Sequence, residues 1–137
     1  MDKKLLGLLF MFFLTFGIFS TVVVFNKPLT QLTRAKEDII PSGSKSLIFA
    51  WPLTVQSDGK KTSTITVFVR TAKSKPLINK TITLNSTLGD IKNKTAITDK
   101  EGKAVFELSS QNKGIAKVEA VIDNTIKITQ TITIKFE

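Results

Sequence analysis

Thr98-Asp99-Lys100-Glu101-Gly102-Lys103-Ala104 is a turn set between two alternating apolar stretches, and the class of fold follows from it. Asp99 and Gly102 are turn formers placed for a type I turn, with Asp at the first position and Gly at the fourth. Thr95 and Ile97 lead in, and Ala104, Phe106 and Leu108 lead out with a period of two. The stretch is therefore expected to be a hairpin-like reversal inside an all-β domain.

The period of two begins at Ser46 and holds to the end of the chain. Leu47-Ile48-Phe49-Ala50-Trp51 reads as a strand that Pro52 breaks or confines to an edge. Ser57-Asp58-Gly59 is a turn. Ile65, Val67 and Val69 share one face of the next strand, against Thr66, Phe68 and Arg70. Ile82 and Leu84 point inward from residues 81–85, and short extended pieces are expected at Ile91 and at Lys94 to Thr98. Ala116, Val118, Ala120 and Ile122 alternate with Lys117, Glu119 and Val121. Asp123-Asn124 suits a two-residue hairpin turn, since both residues tolerate positive φ. In the last strand Ile126, Ile128, Ile132, Ile134 and Phe136 lie on one face. Gln130 alone interrupts that face, so a bulge or an exposed position is expected there. About seven short strands with turn signals every ~8–12 residues read as an immunoglobulin-like antiparallel β-sandwich.

The chain ahead of this domain has a different character. Leu5 to Phe25 is 21 residues without a charge, and 15 of them are Leu, Ile, Phe or Val. A helix of that length is about 31 Å long and matches a hydrocarbon core. Its apolar region is longer than the ~7–15 residues of a cleaved signal peptide, so an uncleaved signal anchor is the preferred reading. The expected organisation is a short cytoplasmic tail (1–4), a transmembrane signal anchor (5–25), a linker (26–45) and the β domain (46–137). A turn or two of helix is the most that residues 29–38 suggest. Lys3, Lys4 and the amino terminus balance Lys27, Arg34 and Lys36 across the helix. A short basic tail before a first helix favours the N-inside, C-outside orientation. A single-pass protein of the cell membrane with its C-terminal domain extracytoplasmic is expected.

Composition narrows the chemistry. There is no Cys, His or Tyr, which removes disulfides, thiolate nucleophiles and the usual neutral-pH base and metal ligand. The net charge of +9 is spread thinly: residues 41–137 carry 15 basic and 8 acidic side chains, and only Lys60-Lys61 there are adjacent. No aromatic residues are interleaved with that charge, so neither nucleic acid nor a small-molecule substrate is an expected partner. Asp99 and Glu101 with Asp90 or Asp123 fall short of the six to eight oxygen ligands of a Ca²⁺ site and read as turn and surface acids. No cofactor and no enzymatic activity are expected. Trp51 is either packed over the edge of the core or exposed as a stacking residue. Phe68, opposite to Val67 and Val69, is the other candidate interaction residue.

The ordered set of signals resembles the bacterial immunoglobulin-like domains of group 1, the repeats of invasins and intimins. The residues that carry the likeness are Ser57-Asp58-Gly59 before Thr64 to Val69, then Pro76-Leu77 leading into Thr81-Ile82-Thr83-Leu84. Leu88-Gly89-Asp90-Ile91, Thr98-Asp99-x-x-Gly102-x-Ala104, Gly114 to Ala120 and a final strand ending in Phe136 complete it. The chain departs from the family in the loop before Pro76, where Thr71-Ala72-Lys73-Ser74-Lys75 stands in place of an Asp and a Gly. The resemblance implies a non-catalytic adhesion, spacer or protein-interaction module at the cell envelope. Its expected partners are the lipid bilayer, through residues 5–25, and an envelope or surface protein or a glycan. The alternative is a pilin-like or secretion-system subunit that assembles through its apolar N-terminal helix.

Overall fold

The computed structural model describes the backbone of residues 2–37 and 39–137 and the side chains of 2–23 and 39–137. Two compact units result, divided between Glu37 and Asp38.

The first unit is one helix, α1 (Lys3–Glu37). Its apolar side chains, from Leu5 through Val23, are exposed around the whole circumference rather than along one stripe. Among the described residues it is the one helix long and apolar enough to cross a membrane, by length and composition, over Lys3–Val23. The backbone stays helical well past Phe25, across the start of the expected linker and further than a turn or two. Once a helix is nucleated, each added residue forms a hydrogen bond without a new nucleation cost. The described side chains stop short of this extension, and Asp38 of the linker lies outside the described residues.

The second unit is a β-sandwich. Its strands are β1 (Leu47–Trp51), β2 (Thr54–Val55), β3 (Ser63–Phe68), β4 (Thr81–Ser86), β5 (Asp90–Ile91), β6 (Thr95–Ile97), β7 (Lys103–Ser109), β8 (Gly114–Ile122), β9 (Ile126–Lys127) and β10 (Ile132–Phe136). One sheet has the order β1-β3-β7-β5. The other runs β2-β10-β8-β4-β6, with β9 also on β8. Ten strands exceed the expected seven because β2 was not foreseen, the short piece expected at Ile91 pairs as the separate strand β5, and the expected last strand is divided into β9 and β10. Pairing is antiparallel except between β2 and β10, which run parallel. That exception arises at Pro52, where the first strand leaves one sheet and joins the other. Buried Ser63 donates its hydroxyl to the Pro52 carbonyl at 2.8 Å, and Lys135 N–H donates to the Leu53 carbonyl at 2.8 Å, holding the crossover.

The core is the sum of the two inward faces. Ile48, Ile65, Val67, Ala104, Phe106 and Leu108 come from the first sheet; Ile82, Leu84, Ala116, Val118, Ala120, Ile122, Ile134 and Phe136 come from the second. All are nearly or fully buried, as the alternation requires.

The Thr98 to Ala104 turn has the expected local geometry. Gly102 N–H donates to the Asp99 carbonyl at 3.0 Å, and the Asp99 carboxylate accepts from the N–H groups of Glu101 (2.9 Å) and Lys103 (3.0 Å). Its place in the topology differs from the expectation. β6 lies on β4 in one sheet and β7 lies on β3 in the other, so the turn is a corner between sheets and not a hairpin. Local turn chemistry is the same in both cases; long-range pairing decides between them. The corner is fastened to the loop after β3. Thr98, buried, donates its hydroxyl to the Leu77 carbonyl (2.7 Å) and accepts from Lys80 N–H (2.9 Å), while Val69 N–H donates to the Gly102 carbonyl at 2.7 Å.

The last strand is likewise interrupted. Between β9 and β10 the chain leaves the ladder, and exposed Gln130 turns its amide oxygen to accept from Ile48 N–H, on the free edge of β1, at 3.3 Å. Asp123 and Asn124 both take positive φ, at 48° and 56°, with Thr125 N–H donating to the Ile122 carbonyl. The Ile122–Ile126 pairing adds Thr125 to that loop.

Candidate interaction surface

The outward faces of the two sheets differ in kind. On the six-stranded sheet the outward positions include Thr81, Thr83, Asn85, Lys117, Thr133 and Lys135; exposed Ile97 and Ile115 stand singly at opposite ends, so the face is mainly polar with no contiguous apolar patch. Glu119 sits there between Lys127 (2.7 Å) and Lys117 (3.6 Å). The hydrogen bond from Lys127 lowers the pKa of its carboxyl below the usual range.

The four-stranded sheet presents something else. β1 turns Leu47, Phe49 and Trp51 outward, β3 turns Thr64, Thr66 and Phe68, and β7 turns Lys103, Val105 and Glu107. The strand registers align these nine residues in three rows: Leu47-Phe68-Lys103, Phe49-Thr66-Val105 and Trp51-Thr64-Glu107. Trp51 is 77% exposed, Phe49 50% and Val105 48%, so large apolar side chains stand in water across the sheet. Phe49 and Phe68 meet edge to face with ring centroids 6.2 Å apart, which leaves Phe68 half-buried. An open depression of about 270 Å³ lies between Phe49, Trp51, Thr64 and Thr66. Beside Val105, Glu107 is paired with Lys92 across the surface at 3.3 Å.

Trp51 and Phe68 thus lie in the two outer rows of one apolar patch, on neighbouring strands, and Trp51 stands in solvent and not over the core edge. Leu47, Phe49 and Val105 complete the patch and were missed by the sequence reading. A signal for them was present: every outward residue of Leu47 to Trp51 is apolar, although alternate residues of a half-exposed strand are normally polar. Both faces being apolar hid which one was core. Contiguous exposed apolar patches are more often found at interaction sites than single exposed apolar residues, which are common.

The acids have structural roles. Asp58 accepts from Lys60 and Lys61 N–H, each at 2.8 Å, and these bonds, that from Lys61 foremost, hold its pKa below the usual aspartate value. Asp99 is lowered in the same way, chiefly by Lys103 N–H. Asp123 accepts from Thr81 N–H at 3.0 Å and pairs with Lys80 at 3.2 Å. Among the described residues, no group of three or more acids is placed to hold a metal ion.

The sequence profile of the bacterial Ig-like domain (group 1) matches residues 50–136. No curated protein matches the sequence at a significant level. Solved structures do. A 282-residue C-terminal fragment of intimin, in complex with the intimin-binding domain of its translocated receptor, superposes with a TM-score of 0.58 at 27% identity, covering 71% of this chain and 33% of that one. The D0–D1 domains of intimin match with a TM-score of 0.61 at 28% identity, covering 69% and 50%. Invasin, described as a bacterial integrin-binding protein, matches with a TM-score of 0.63 at 26% identity, covering 70% and 19%. The chain therefore spans half or less of the length of each of these.

Proposed function

The chain belongs to the bacterial Ig-like domain (group 1) family, and on that premise we propose that it is a membrane-anchored, extracytoplasmic module serving adhesion, spacing or protein interaction at the cell envelope without catalysis. The observation that carries this reading is the apolar outward face of the four-stranded sheet, set on a fold similar to intimin and invasin. Intimin is seen bound to a receptor domain and invasin is described as binding integrin, so a protein is the partner class we favour. Trp51 and Phe68 are the residues proposed to meet it, together with Phe49.

The anchor in this proposal is the apolar part of α1, residues 5–25, with 1–4 on the cytoplasmic side and 26–45 linking to the β unit. Side chains that are apolar on every side suit lipid and not a soluble surface. Protease treatment of intact cells tests the assignment. Loss of the β unit from unlysed cells is the expected result; its protection until lysis overturns the surface location.

A further inference from the structure

The nine-residue face carries a charge pattern that says which partner it fits. Along β7 the outward residues are Lys103, Val105 and Glu107: a cation, an apolar residue and an anion, evenly spaced. Val105 lies in the middle row with Phe49 and Thr66. Among the described residues Lys103 makes no salt bridge, although the Asp99 carboxylate lies near it. Glu107 is engaged only by exposed Lys92.

We infer that this face pairs with a second copy of the chain, in a two-fold, face-to-face dimer whose axis runs along the Phe49-Thr66-Val105 row. This inference rests on reading the face as the interaction surface and adds the identity of the partner. A rotation about that row lays each strand antiparallel on its own counterpart, the self-complementary arrangement of a two-fold interface. Lys103 then faces Glu107 of the second copy, and Glu107 faces its Lys103. Leu47 comes over Trp51, Phe68 over Thr64, and Phe49 and Thr66 each meet themselves. The same operation therefore matches charge with opposite charge twice and encloses the aromatic residues. A two-fold axis along β3 would instead lay β1 over β7, setting Lys103 on Leu47 and Glu107 on Trp51, so that neither charge would meet its opposite. Twisted sheets pack about 10 Å apart and about 30° from alignment. That angle moves the outer rows sideways by about 3 Å and the two ends of the middle row by about 2.5 Å along the strands, with Thr66 kept at the centre; both shifts are within the reach of the side chains involved. The opposite sheet has no such pattern, since its Glu119 is already held by two lysines of its own chain.

The chain has no cysteine, so one introduced thiol reports one position. Thr66→Cys, on the axis, is compared with Thr133→Cys, on the solvated face of the other sheet. Both are made in the full chain, expressed in cell membranes and treated there with a short bis-maleimide, because facing sheets about 10 Å apart hold the two thiols too far apart for a direct disulfide. Thr66→Cys is expected to form a crosslinked band at twice the monomer mass, and Thr133→Cys to stay monomeric. In the Thr66→Cys background, Lys103→Glu or Glu107→Lys alone is expected to lower the dimer yield roughly fivefold or more, because two modest surface pairs become repulsions. The double exchange of both residues restores the yield, since the two charges again face opposites. Equal yields at positions 66 and 133, or a double exchange no better than either single change, overturn the second copy as partner. If Thr66→Cys is instead crosslinked to a different protein, the dimer fails and the face remains an interaction surface. If it is captured by nothing, both readings fall.

Discussion

Replacing Gly102 with alanine sets a methyl carbon against a carbonyl oxygen that the fold cannot easily move. Gly102 has φ +71°, and a Cβ there would lie 2.6 Å from the Val69 carbonyl oxygen and 3.0 Å from Leu77 N. Those atoms are engaged: Val69 N–H donates to the Gly102 carbonyl at 2.7 Å, and Leu77 N–H donates to the Val69 carbonyl at 3.0 Å. A left-handed conformation costs an L-residue about 1–2 kcal/mol. Displacing one or two of the hydrogen bonds costs about 0.5–1.5 kcal/mol each. Against this, alanine restricts the unfolded chain and returns about 0.4–1 kcal/mol. The net loss is about 2–3 kcal/mol, a large part of the 5–15 kcal/mol of a typical domain. Urea unfolding of the β unit, followed by circular dichroism, reads this as a midpoint lowered by about 1–2 M at an m-value near 1.5 kcal/mol/M. Lys100→Ala, an exposed change in the same turn, is expected to stay within about 0.5 kcal/mol. If Gly102→Ala shifts the midpoint no more than Lys100→Ala does, the corner is not fastened as described.

Other changes test other parts of the account. Thr98→Val keeps the shape but removes the buried hydroxyl between the Leu77 carbonyl and Lys80 N–H; a loss of about 1–3 kcal/mol is expected in the same unfolding assay. Ser74 holds φ +63° in the loop where the family places a glycine, so Ser74→Gly is expected to unfold at the same or slightly higher urea, whereas Ser74→Val unfolds earlier. The pKa of Asp99 is lowered on folding, so its contribution is complete above the unfolded aspartate pKa and fades as pH falls through the lower folded value. Asp99→Asn is therefore expected to flatten the fall in melting temperature on acidification below about pH 4, and an unchanged slope contradicts that role. Mass spectrometry of the purified full chain is expected to find the N-terminal segment intact; a product cleaved after Gly7 supports filament assembly instead.

The two-period strands from Leu47 to Phe136 were legible because each alternation of the β domain marks an inward face, and Ile65, Val67, Phe106 and Ile134 are all buried as read. The turn residues were legible too, for Asp99 and Gly102 act through bonds a few atoms long. What could not be read was which strand each turn delivers to which sheet. β6 and β7 part company after Ile97 because their partners, Thr81 to Thr83 on one side and Ser63 to Phe68 on the other, are distant in sequence. Gln130 announced an interruption, and yet its bond to Ile48 spans the two sheets and has no local signature. The apolar patch was half legible. Trp51 and Phe68 drew notice one at a time, and only the register that puts Phe49 beside Thr66 and Val105 joins them into a surface.

In the proposed arrangement this Ig-like unit faces the outside of the cell from a single membrane-spanning helix. Single cysteines in the otherwise cysteine-free chain test it directly, with a thiol reagent that cannot cross the membrane. Asn112→Cys, in an exposed loop of the β unit, is predicted to label on intact cells, and Lys3→Cys, ahead of the apolar segment, only after permeabilisation. Labelling of position 3 on intact cells with position 112 protected would contradict the account.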